Sequence, residues 1–135
     1  MKMYDPAVET LDPKEQFKQD SEQYAVQLEY LFANSSFYQK KLGEAGIGCA
    51  RDAGKLEQIA QLPFTEKDEL RRTQADSPPF GTHLACEPKR LLRVFSTSGT
   101  TGVPCFIGLT RNDLDMYATN VARGYTAALG KSQFA

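Results

Sequence analysis

One short part of the chain reads as β-structure, and that limits the folds open to it. Lys89 to Ser96 (KRLLRVFS) and Val103 to Thr110 (VPCFIGLT) have the β-branched and aromatic content of strands. Two strands alone make a poor sheet. The pattern that follows, TRNDLDMYATNVARGYTAALG, is an amphipathic helix, with KSQFA after it. The expectation is an α/β fold of several helices plus a short strand pair, forming the N-terminal piece of something longer.

The first half reads as helix. In LDPKEQF, Asp12 is placed as an N-cap, Pro13 falls at the first helical position and Glu15 has capping-box spacing. Phe17, Tyr24, Leu28, Leu31 and Phe32 then recur on one helical face. Asn34-Ser35-Ser36 breaks the pattern. A second short helix follows with Tyr38, Leu42 and Ala45 on one side and Gly46 at its end. KLEQIAQ is a turn of helix stopped at Leu62-Pro63, and Thr65 is placed to cap the next helix, with Asp68 three residues on. The prolines and glycine of ADSPPFGTHLACEP predict irregular chain there, with His83 on its surface. After the strands, Thr110 and Asp113 have capping-box spacing, and Leu114, Tyr117, Ala118, Val121, Tyr125, Ala128 and Leu129 form an apolar stripe expected to be buried. The division expected is a helical region over 1–88 and a strand–loop–strand–helix unit over 89–135.

Composition removes several function classes. The formal net charge of −1 creates no field to recruit nucleic acid or an anionic membrane. Basic pairs such as Lys40-Lys41 and Arg71-Arg72 suit a solvated helix face. No apolar run approaches the roughly 20 residues of a membrane span, and MKMYDPAVETLDPKEQ has no apolar leader segment. A cytoplasmic location is the default expectation. Cys49, Cys86 and Cys105 are widely spaced, with His83 the single histidine. Reduced thiols fit that pattern better than a metal site. Tyr24, Tyr30, Phe32, Phe37 and Tyr38 have helical spacing and read as core or interface, and Asp113 and Asp115 as cap and solvated face rather than a metal pair.

The chemistry concentrates between the strands. Ser96, Thr97, Ser98, Gly99, Thr100, Thr101 and Gly102 put five hydroxyl residues and two glycines in seven positions. Glycines let backbone approach a ligand closely, successive backbone N–H groups form a concavity that prefers anions, and rotatable hydroxyls add donors for phosphate oxygens. A polyphosphate is the natural guest. The Gly-Lys-Ser/Thr ending and following helix of a Walker loop are absent; Gly102 leads into Val103-Pro104 and an apolar strand. The competing reading is a flexible hairpin turn. Cys105 reads as a small buried strand residue, since no base or cation adjoins it in sequence.

STSGTTGVP resembles the phosphate-binding signature of the adenylate-forming acyl- and aryl-CoA ligases. YDPAVETL, SSFYQKKLGEAGI, LEQIAQLPFTEKDELR and SGTTGVPCFIGLTRNDLD resemble, in order and spacing, the N-terminal region of the phenylacetate-CoA ligase branch. The resemblance implies ATP, Mg²⁺ and coenzyme A as cofactors, an aromatic carboxylate as substrate and a homodimer as the assembly. It implies that Ser98, Gly99, Thr100, Thr101 and Gly102 grip the β- and γ-phosphates, with Ser96 and Thr97 flanking. In that family a lysine usually adjoins the motif's proline, whereas Val103 and Cys105 flank Pro104 here. The family's adenine- and ribose-contacting motifs, and the mobile C-terminal domain with its catalytic lysine, lie beyond residue 135. No catalytic residue is therefore assigned, and the 135-residue chain is expected to be inactive alone. Two other classes compete: a non-catalytic module that self-associates through its helices and open strand edges, and a simple nucleotide- or anion-binding domain.

Overall fold

A computed structural model describes residues 3–97 and 104–130. A short helix α1 (Pro6–Glu9) leads into the long helix α2 (Pro13–Asn34). Asp12 caps α2 by accepting from the Lys14 amide at 2.9 Å, and Pro13 sits where a missing N–H costs nothing. Ser35 ends α2 and starts α3 (Ser36–Glu44). Its amide donates to the Leu31 carbonyl at 2.9 Å, and its Oγ accepts from the Tyr38 amide at 3.4 Å. Gly46, at φ +83°, turns the chain out of α3 so that the Ile47 amide reaches the Leu42 carbonyl at 2.9 Å.

These turns bring Leu28, Leu42, Ile47 and Ala53 together as a small core, with Tyr24, Phe32, Tyr38, Ala50 and Leu62 packed against it. Burying each large aliphatic side chain contributes about 1.5–3 kcal/mol. Tyr24, Phe32 and Tyr38 are thus packed on the core, whereas Tyr30 is exposed. Tyr24 also donates its hydroxyl to the Ala53 carbonyl at 3.3 Å.

Helix α4 (Lys67–Asp76) is capped by Glu66, one residue past the expected Thr65. The Glu69 carboxylate decides the start: it accepts from the Glu66 amide at 2.7 Å and takes the Lys41 ammonium from α3 at 2.6 Å. Both contacts hold the Glu69 carboxyl below its ordinary range. The irregular stretch accordingly begins after Asp76, not at Ala75. Its Pro78–Pro79 peptide is cis, and its Gly81 has φ +75°, with the space a Cβ would need taken by Thr73, His83 and the Gln74 backbone. The stretch straps the α2–α3 junction: the Phe37 amide donates to the Thr82 carbonyl at 3.2 Å, and the Tyr30 hydroxyl donates to Ala85.

Strands β1 (Arg93–Thr97) and β2 (Cys105–Leu109) pair antiparallel, from Arg93↔Leu109 to Thr97↔Cys105. The expected strand start at Lys89 gives way to a short 3₁₀ turn, Pro88–Arg90, closed by Leu91 N–H to the Pro88 carbonyl at 3.0 Å. Helix α5 (Arg111–Leu129) follows, with Thr110 and Asp113 forming the expected reciprocal cap and Gly130 ending it at φ +65°. Its stripe departs from expectation. Leu114 and Val121 are half-buried, but Tyr117, Tyr125 and Leu129 are more than half exposed. The stripe meets the rest of the described residues through few contacts, such as Tyr117 against Phe95 with ring centroids 6.2 Å apart, so most of it stays uncovered.

Candidate functional site

The Ser/Thr/Gly run begins in β1 and ends just before β2. Of the seven residues expected to hold phosphate, Ser96 and Thr97 are described; Ser98, Gly99, Thr100, Thr101 and Gly102 lie outside the described residues, as does Val103. What the structure defines is the frame on which the run is mounted.

That frame is closed at its mouth. Thr97 Oγ1 accepts from the Cys105 amide at 3.2 Å and lies 3.5 Å from the Cys105 carbonyl oxygen, to which it donates. The Thr97 hydroxyl thus bridges the two strands at this end of the pair. Ser96 is exposed opposite Phe106. Cys105 is 2 % exposed and fills the base of the mouth, the small buried strand residue its sequence context suggested.

Beneath β2 stands Gln74 of α4, itself 8 % exposed. Its Nε2 donates to the Phe106 carbonyl at 2.7 Å, and its Oε1 accepts from the Phe106 amide at 3.0 Å. One side-chain amide thereby satisfies both main-chain groups of a strand residue, as a neighbouring strand would. This residue escaped the sequence reading. A glutamine at 74 has no local signal, and its partner is 32 positions away.

His83 also departs from expectation. It is half-buried rather than on the surface, with Nδ1 2.8 Å from Thr73 Oγ1 and its ring edge-on to Phe37. Thr73 donates its own proton to the Leu70 carbonyl at 2.9 Å, so Nδ1 is the donor of this pair. Burial pushes the imidazole pKa down.

A cleft of about 470 Å³ opens beside β2, lined among others by Tyr30, Phe80, Cys86, Arg90, Phe106 and Asp113. Its described lining does not include Ser96 or Thr97. Burial raises the Cys86 thiol pKa, opposed by Arg90 and assisted by Asp113, which disfavours the thiolate. Cys49, Cys86 and Cys105 are all free. Among the described residues, no group of three or more His, Cys, Asp or Glu side chains is placed to hold a metal ion, and no helix is long and apolar enough to cross a membrane.

Known proteins share this architecture. The chain superposes on 2-hydroxyisobutyryl-CoA ligase in complex with 2-HIB-AMP and CoA in the thioesterification state, with a TM-score of 0.79 and 33 % identity over 87 % of this chain and 25 % of that one. The same ligase in its postadenylation state with R3-HIB-AMP gives a TM-score of 0.81 and 27 % identity over 93 % of this chain and 26 % of that one. The fold is therefore that of the adenylate-forming acyl-CoA ligases.

Sequence relatives narrow the class. The phenylacetate-coenzyme A ligase of Thermus thermophilus is 39 % identical over 127 residues, covering 93 % of this chain and 27 % of the relative. Those of Aromatoleum evansii and Pseudomonas putida are 37 % and 34 % identical, covering 94 % and 97 % of this chain and 29 % and 30 % of theirs. The chain is homologous to the phenylacetate-CoA ligases over nearly all of its own length, and it spans between a quarter and a third of the length of these three relatives. No protein-family model matches it.

Proposed function

We propose that the chain is the N-terminal part of an ATP-dependent aryl-CoA ligase and contributes the segment that holds the triphosphate tail. The observation that carries this reading is the seven-residue Ser/Thr/Gly run mounted between β1 and β2 in a chain homologous to phenylacetate-CoA ligases. The division into a helical region over 1–88 and a phosphate-binding unit over 89–135 belongs to the same reading, as do a cytoplasmic location and assembly as a homodimer.

In the proposed reaction the carboxylate of phenylacetate attacks the α-phosphorus of ATP. The bond to the bridging oxygen breaks, pyrophosphate leaves, and an acyl-adenylate remains. Coenzyme A thiol then attacks the acyl carbon, losing its proton, and AMP departs. The run's share of this work is to position the β- and γ-phosphates and to stabilise charge as pyrophosphate leaves. In this reading Ser98, Gly99, Thr100, Thr101 and Gly102 offer amides and hydroxyls to the phosphates, flanked by Ser96. Thr97 keeps the mouth closed. Val103 and Cys105 stand where the family usually has a lysine, so the run itself brings no fixed cation; Mg²⁺ arriving with the nucleotide would supply the remaining neutralisation of phosphate charge.

Titration with Mg–ATP tests this. Wild type is expected to bind, and Gly99→Val to weaken binding at least tenfold by putting side-chain bulk where backbone must approach phosphate. Equal binding by both would sink the reading. The 135-residue chain alone is expected to release no pyrophosphate from ATP and phenylacetate.

A second reading, self-association, is favoured by the exposed Val94, Phe95, Ile107, Met116 and Leu129 on and around the strand pair. A monomeric mass by light scattering at high concentration would count against it.

A further inference from the structure

We infer that Gln74 is a positioning residue for nucleotide binding: it locks β2 against α4 and so fixes the frame that carries residues 96–102. The functional half of this inference rests on the phosphate-binding reading above; the lock itself rests on geometry alone.

Strand β2 has one partner strand among the described residues, so its second edge needs some other neighbour. Gln74 takes that place at one residue. It engages the amide and the carbonyl of Phe106 together, at 3.0 and 2.7 Å. Phe106 adjoins Cys105, the first residue of the strand and the partner of Thr97. A slip of β2 by one position would carry Cys105 away from Thr97 Oγ1 and turn its side chain to the opposite face. The two-point contact with Gln74 opposes that slip, because an offset by one residue points the main-chain groups the other way.

The lock is held from behind. Helix α4 is tied to α3 by the Lys41–Glu69 pair at 2.6 Å, with both side chains partly buried. A Cβ at Gly81 would run into Thr73 and the Gln74 amide of α4, so the strap passes tightly over this helix. Gln74 is the side chain by which this braced helix grips the main chain of β2. A buried amide with both ends satisfied is costly to replace by anything that satisfies only one.

Two substitutions separate this role from simple filling of space. Gln74→Met keeps length and removes both hydrogen bonds. Gln74→Glu keeps the shape; its ionised carboxylate can accept from the Phe106 amide but repels the carbonyl, whereas its protonated form offers one donor and one acceptor, as glutamine does. Amide hydrogen exchange at Phe106 and Mg–ATP affinity are measured on the 135-residue chain at neutral pH and again near pH 5, with wild type as the reference at each.

Gln74→Met is expected to speed exchange at Phe106 about tenfold or more and to weaken Mg–ATP binding at least about threefold at both pH values, since two neutral hydrogen bonds are lost. Gln74→Glu is expected to match Gln74→Met at neutral pH and to return toward wild type as its carboxyl protonates. Wild-type protection of Phe106 in Gln74→Met overturns the lock. Loss of protection with unchanged Mg–ATP affinity overturns the positioning role alone. If wild type itself binds no Mg–ATP, the proposed function falls and takes the positioning role with it, while exchange at Phe106 still judges the lock.

Discussion

The helical half and the strand half of this molecule are finished to different degrees. Around the α2–α3 junction, apolar side chains find one another in a closed core of Leu28, Leu42, Ile47 and Ala53, and the fully buried Ser35 has partners for its amide and its hydroxyl. Around β1, β2 and α5, Val94, Phe95, Ile107, Met116 and Leu129 are between 40 % and 66 % exposed. The first region encloses an apolar centre while leaving Val26 and Phe64 exposed at its periphery; the second has, among the described residues, Cys105 as its one buried apolar side chain and presents much of the rest as open surface. Besides the strand ladder itself, the ties in the second region include Gln74 from α4 to β2 and Arg123 of α5, 3.5 Å from Glu9 of α1.

That contrast can be broken or sharpened by mutation. The largest effect is expected from Leu42→Ala, which empties part of a small core: about 2–4 kcal/mol of stability should be lost, read from the urea midpoint at constant slope. A loss below about 1 kcal/mol would mean that the helical core is less well packed than described. Ser35→Ala comes next, at about 1–2 kcal/mol, since it removes a buried cap serving the start of α3. Met116→Lys is expected to change stability by less than about 0.5 kcal/mol, because its side chain packs on little. A large loss at Met116 would show that the face of α5 is covered after all.

The same contrast explains what could be read from residues. Asp12-Pro13 and Thr110-Asp113 were legible because cap chemistry is local: a short polar side chain finds an amide two or three positions on. The helix break at Asn34–Ser36 and the strand pair around the Ser/Thr/Gly run were legible for similar reasons. Thr65 yielded to Glu66 as the start of α4 because Lys41, distant in sequence, draws in Glu69. His83 was misplaced because Thr73 and Phe37, neither adjacent in sequence, enclose it. The apolar stripe of α5 was visible as a stripe, but a pattern carries no information on whether its complement is present. Gln74 was invisible, since nothing about a glutamine in a helix announces which strand it will meet.

The central claim is that the segment joining β1 to β2 receives the phosphates of a nucleotide. A ¹⁵N-labelled 135-residue chain titrated with Mg–ATP and followed amide by amide tests it most directly. The account predicts shifts centred on residues 96–106, with amides of the α2–α3 core unmoved and the response lost in Gly99→Val. Silence across 96–106, or shifts centred instead on the cleft between Tyr30 and Asp113, would contradict it.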